Sequence, residues 1–107
     1  MTKESTFQGK FVKWLRENGF IVVKNQAGPG VPIGFPDCSW WYKGRSGFLE
    51  FKKSHSASFR PRQKEWLEQL GRCFYARVVF PENSDTIKKE IMCIKGELDE
   101  KTTKMEE

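Results

Sequence analysis

A chain of 107 residues with a formal net charge of +5 suits one domain around one modest core. Nine Phe and four Trp exclude disorder by composition, and no stretch is long and apolar enough to span a membrane. The N-terminal MTKESTFQGK has no apolar signal region, so the expectation is a cytoplasmic protein with no membrane partner.

Along the chain, Thr6 to Asn18 reads as a helix, because Phe7, Phe11, Trp14 and Leu15 recur on one helical stripe. Asn18-Gly19 ends it, with Gly19 suited to a left-handed cap. Phe20–Lys24 is a β-branched strand, and NQAGPGVPIGFP is a loop. DCSWWY and GFLEFKK flank the polar turn KGRS and read as a β-hairpin. After the polar SHSAS segment, Pro61 fits the first turn of a second helix, which carries Trp66, Leu67 and Leu70 and stops at Gly71. Cys73–Phe80 is a further strand, and Ser84 to Ile94 a third helix. The order is α-β-β-β-α-β-α, one mixed central sheet flanked by helices. The expected domain covers residues 1–95, and residues 96–107 read as an acidic, fraying tail.

Charge is spread unevenly. Residues 96–107 hold five acids and two lysines, a net of −3, which leaves +8 on the rest. A basic body suits a polyanion, nucleic acid first, against the competing reading of a solvated basic surface. Three cysteines, far apart and without a CxxC pair, argue against structural zinc and a disulfide framework. Cys38 and Cys73 lie in apolar runs and read as core residues. His55 is the only histidine, which excludes a His-based metal site, and Ser39 and Ser54 have no Ser-His-Asp context. There is no Walker loop, so no nucleotide cofactor is expected.

Asp37, Glu50 and Lys52 sit in segments that otherwise read as buried strands. Strand side chains alternate faces, so Glu50 and Lys52 share one. In a hairpin with an even-numbered loop and no bulge, either register also puts Asp37 on that face, opposite Glu50 or Lys52. Two carboxylates brought together repel without a cation. Paired hard oxygens, with the Phe51 backbone carbonyl as a third, suit Mg²⁺ or Mn²⁺, which would activate water toward a phosphodiester. The competing reading is a salt bridge at a strand edge.

These residues resemble the PD-(D/E)XK nuclease superfamily, and within it the small VRR-NUC-type endonucleases of phages and mobile elements. Gly-Phe-Pro-Asp resembles the family's Gly-x-Pro-Asp, and Phe-Leu-Glu-Phe-Lys its Glu-x-Lys strand. RPRQKEWLEQLGRCFYARVVF resembles the helix and strand that follow, so the likeness spans roughly Phe7 to Glu90. It implies a restriction-endonuclease-like α-β-β-β-α-β core that cuts DNA with a divalent metal, in a host cytoplasm if phage-encoded. Asp37 and Glu50 would be metal ligands, Lys52 the catalytic lysine, and Gln63 would point toward the scissile phosphate or the lysine. Family members often carry a glutamate on the first helix where this chain has Gln8. Glu4 or Gln8 would then complete the metal site, or Glu4 is only a first-turn acid favoured by the helix dipole.

Lys24, Asn25, Lys43, Arg45, Lys53, His55, Arg60, Arg62 and Lys64 cluster in sequence around this motif and are the candidate DNA contacts. Trp40, Trp41 and Tyr42 cannot all be buried on one face of a strand, and the leftover aromatic suggests a homodimer. The leading expectation is a Mg²⁺/Mn²⁺-dependent DNA endonuclease directed at Holliday junctions, flaps or other branched DNA. The alternatives are a non-catalytic DNA-binding accessory protein that keeps the nuclease fold, and a protein-interaction module built on exposed aromatics.

Overall fold

The computed structural model describes residues 4–26 and 28–106. Helix α1 (Glu4–Glu17) leads to strand β1 (Ile21–Lys24) and the hairpin strands β2 (Cys38–Tyr42) and β3 (Arg45–Phe51). Helix α2 (Gln63–Gly71), strand β4 (Tyr75–Val79), a 3₁₀ turn (Pro81–Asn83) and helix α3 (Ser84–Glu106) complete the chain. The four strands form one mixed sheet in the order β1-β2-β3-β4. β1, β2 and β3 pair antiparallel; β4 returns through α2 and pairs parallel to β3, as a helical crossover requires.

Local chemistry sets the two tightest bends. Gly19, at φ 88°, follows α1 in the left-handed region. Its N–H donates to Arg16 O and the Phe20 N–H donates to Leu15 O, each at 3.1 Å, which is the Schellman pattern. The hairpin turns on Lys43 (φ 44°) and Gly44 (φ 82°) alone, a two-residue loop with both residues at positive φ, the primed geometry that matches strand twist. The loop is therefore even, and the register runs from Tyr42 opposite Arg45 to Cys38 opposite Leu49. One step further, Asp37 lies against Glu50.

The sheet has two unlike faces. Toward α1 and α3, Val22, Cys38, Trp40, Leu49, Phe51 and Val79 pack with Phe11, Val12, Leu15, Ile87 and Ile91 as one core. Gly47 lies opposite Trp40, and a Cβ there would sit 2.2 Å from the Trp40 ring. On the other face Phe48 packs on Phe35 and Phe74, and Phe35 packs on Trp66 of α2. This second face is covered only in part. The leftover aromatic is Trp41, 45% exposed beside its partner Ile21 at 67%, with Val23 at 49% on the same face.

Several boundaries differ from expectation. α2 starts at Gln63 rather than Pro61, because Pro61 and Arg62 form a turn and Arg62 takes a left-handed φ of 69°. α3 continues past Ile94 through Gly96 to Glu106. Its extension is held at Asp99, which accepts from the Tyr42 hydroxyl at 2.5 Å and pairs with Lys43 at 2.8 Å. Cys73 is exposed, not core, because it lies in the α2–β4 connection before the strand begins.

Candidate active site

Asp37 stands at the entrance to β2, and its position is fixed from both sides. The Phe51 N–H donates to Asp37 Oδ2 at 2.7 Å. The Asn25 N–H donates to Asp37 O at 2.7 Å, while the Asn25 side-chain amide donates to Pro36 O and Ser39 Oγ, both at 3.1 Å. Asn25, expected as a DNA contact, thus uses its donors to clamp the aspartate's backbone. The Lys52 N–H points the other way, to Val79 O of β4 at 2.8 Å. A strand residue's N–H and C=O face the same neighbour, so the Phe51 carbonyl lies on the Asp37 side.

Glu50 and Lys52 are 2% and 6% exposed. Lys52 Nζ lies 3.7 Å from Glu50 Oε2, too long for a direct hydrogen bond. Gln63, 6% exposed, bridges them. Its Oε1 accepts from Lys52 Nζ at 2.7 Å and from the Arg60 N–H at 2.6 Å, and its Nε2 donates to Glu50 Oε2 at 3.1 Å. Two donors on one side and a carboxylate on the other leave the amide only one workable orientation. The ring of Phe59 covers the lysine, its centroid 5.3 Å from Nζ. Nearby, burial first, and then the negative charges of Asp37 and Glu50, push the Cys38 thiol up to about 12.

Asp37 and Gln63 open onto a cleft of about 370 Å³, lined also by Asn25, Ile33 and Arg60. Its far wall is the glycine-rich loop. A Cβ on Gly34 (φ 81°) would lie 2.6–2.8 Å from backbone atoms of Pro61, Arg62 and Gln63, so glycine is what lets this loop touch the start of α2.

The donor types suit a hard divalent cation: the Asp37 carboxylate at the start of β2, and the Glu50 carboxylate and Phe51 carbonyl at the end of the paired strand β3. Among the described residues no three His, Cys, Asp or Glu side chains gather as a metal site. Gln8 is half-buried on α1 and makes no hydrogen bond to Asp37 or Glu50 among the described residues, and the side chain of Glu4 lies outside them.

The basic candidates separate into two groups. Lys24, Lys53, Arg60, Arg62 and Lys64 are exposed on segments that reach the Asp37–Gln63 end of the sheet. Lys43 and Arg45 stand at the opposite end of the hairpin, five to six strand residues from Asp37, or about 17–20 Å at some 3.4 Å per residue. There Lys43 pairs with Asp99. His55 is paired too, its Nδ1 2.8 Å from Glu82 Oε2. That contact holds the Glu82 carboxyl below its usual range. Phe59 and the clamping role of Asn25 were not foreseen. Neither leaves a local pattern, because each acts across a loop.

No family model, no curated protein and no solved structure matches this chain.

Proposed function

We propose that the protein is a Mg²⁺- or Mn²⁺-dependent endonuclease that hydrolyses phosphodiester bonds in DNA, a nuclease of the PD-(D/E)XK kind. The observation that carries this reading is the buried Lys52–Gln63–Glu50 chain, whose Gln63 lines a cleft together with Asp37. Buried charges of this sort add little to stability against an apolar replacement, so their placement calls for a chemical use.

Asp37, Glu50 and the Phe51 carbonyl would hold the cation. When bound, it supplies Lewis-acid chemistry, lowering the pKa of water and offsetting phosphate charge. Lys52 brings an ammonium with three protons, one of them directed at Gln63. The others serve the attacking water or the phosphate oxygens, where charge grows in the transition state. The water oxygen bonds to phosphorus and sheds a proton. The sugar oxygen departs with its bonding pair and takes up a proton. Gln63 positions the lysine and the glutamate relative to each other. Lys24, Lys53, Arg60, Arg62 and Lys64 would grip phosphates without reading bases, which predicts a steep loss of binding with salt. If the enzyme acts as a pair of copies, the Ile21–Val23–Trp41 stripe is the apolar surface such pairing would use.

A cleavage panel of linear, flap and four-way-junction DNA with Mn²⁺ tests the reading. Wild type should cut, while Glu50→Gln and Lys52→Ala should not; equal cutting by all three would sink it. Among the described residues no third acidic side chain joins Asp37 and Glu50, which favours a second reading, a DNA-binding accessory protein on the same fold. Calorimetric titration with Mn²⁺ separates the two. The enzyme should show a binding heat that Asp37→Ala removes, and an accessory protein shows neither heat nor cleavage.

A further inference from the structure

Ile33 is 72% exposed, the most exposed large apolar side chain among the described residues. Its backbone is restrained at three points. The Phe35 N–H donates to Pro32 O at 3.2 Å, closing a β-turn with Ile33 and Gly34 at its centre. Gly34, at φ 81°, supplies the positive angle that a type II turn needs at its third residue. The Ile33 carbonyl accepts from Trp66 Nε1 of α2 at 3.1 Å, and the turn packs through Gly34 on the backbone of Pro61–Gln63. A β-branched side chain adds stiffness of its own. A flexible surface loop would not need these ties. Ile33 also lines the cleft that holds Asp37, Gln63 and Arg60, and Arg62 and Lys64 follow at the start of α2.

We propose that Ile33 is an apolar wedge that enters the base stack of bound DNA next to the phosphate being cut. This rests on the nuclease reading and deepens it. Rigid aliphatic side chains flanked by cations are how proteins part base steps, and the cost is unstacking. That cost is least where the stack is already interrupted, at a branch, flap or mismatch. The wedge therefore selects DNA by its broken stacking rather than by base sequence. The cations beside it fit nucleic acid better than an apolar protein surface.

The test uses branched and linear DNA carrying 2-aminopurine at or beside the branch nucleotide, with Ca²⁺ in place of Mg²⁺ to hold back cleavage. Wild type should raise the 2-aminopurine fluorescence of branched DNA on binding. Ile33→Ala should lose most of that rise, and Ile33→Leu should keep it. In Mn²⁺, Ile33→Ala should lower the branched-over-linear cleavage ratio roughly tenfold, with affinity for linear duplex within about twofold because phosphate contacts are untouched. An unchanged melting temperature shows that the exposed substitution leaves the fold intact. Wild-type fluorescence and an unchanged ratio in Ile33→Ala would overturn the wedge. So would binding to a protein partner, but not to DNA, that depends on Ile33. Glu50→Gln keeps the two ideas apart: it should retain the fluorescence rise while losing cleavage. A rise without any cleavage by wild type overturns the nuclease and leaves the wedge.

Discussion

On the face toward α1 and α3, Cys38, Trp40, Leu49 and Phe51 are wholly buried among helix side chains. On the opposite face of the same strands, Ser39, Glu50 and Lys52 are also buried, but they are polar, and Ile21, Val23 and Trp41 stand open. One pleated sheet therefore holds its stability on one side and its proposed chemistry on the other. Alternation makes this possible, because adjacent residues such as Glu50 and Phe51 serve different faces with no cost in backbone geometry. The two faces remain coupled through the backbone. Phe51 packs in the core while its N–H holds Asp37.

Removing both members of the buried Lys52–Glu50 pair on the polar face tests the comparison hardest. The double variant Glu50→Gln, Lys52→Met should lose roughly 10³-fold or more in cleavage, the range for a positioned acid–base group. Its denaturant midpoint should stay level or rise, since replacing both members of a buried pair is often neutral or stabilising. A large fall in the midpoint would mean that the polar face is structural. Phe51→Ala, on the apolar face, should cost about 4 kcal/mol in denaturant unfolding. It should also weaken Mn²⁺ binding in the fraction still folded, because the strand that holds Asp37 loses its anchor. Gly47→Ala should cost about 2–3 kcal/mol, as the new methyl would run into the Trp40 ring. Site chemistry should survive it, which full Mn²⁺ heat per folded molecule would check.

The smallest effect lies at the far end of the hairpin. The hydrogen bond from Lys43, then that from the Tyr42 hydroxyl, holds the Asp99 carboxyl below its usual range. A depressed folded pKa contributes stability above the unfolded value, and that stability is lost as pH falls through the folded one. Wild type should therefore lose slightly more stability than Asp99→Asn between about pH 5 and pH 2, by thermal melts. Cleavage at neutral pH should be alike in both, because the contact is remote from Asp37.

The placement of Asp37, Glu50 and Lys52 was legible in part because it is local. The hairpin register follows from alternation and an even turn, and it sets Asp37 against Glu50 with Lys52 on the same face. The two-residue turn was harder to see, since Lys43 occupies a positive-φ position more often held by Asn, Asp or Gly. Residues near one another in sequence misled where the hairpin carries them apart, as with Lys43 and Arg45. The α3 extension was missed because its sequence is polar and contains Gly96, and its anchor at Asp99 lies 57 residues from Tyr42.

The sequence by itself determined the order of elements, the basic body and the single face shared by Glu50 and Lys52, while the two-residue turn decided that Asp37 joins them. These follow from side-chain period and composition, which need no distant contact. Only the tertiary structure decided that Gln63 joins Lys52 to Glu50, that Asn25 clamps the Asp37 segment, and that Ile33 stands rigid at the cleft. Each depends on a loop closing onto another element, and no periodic pattern encodes such a closure.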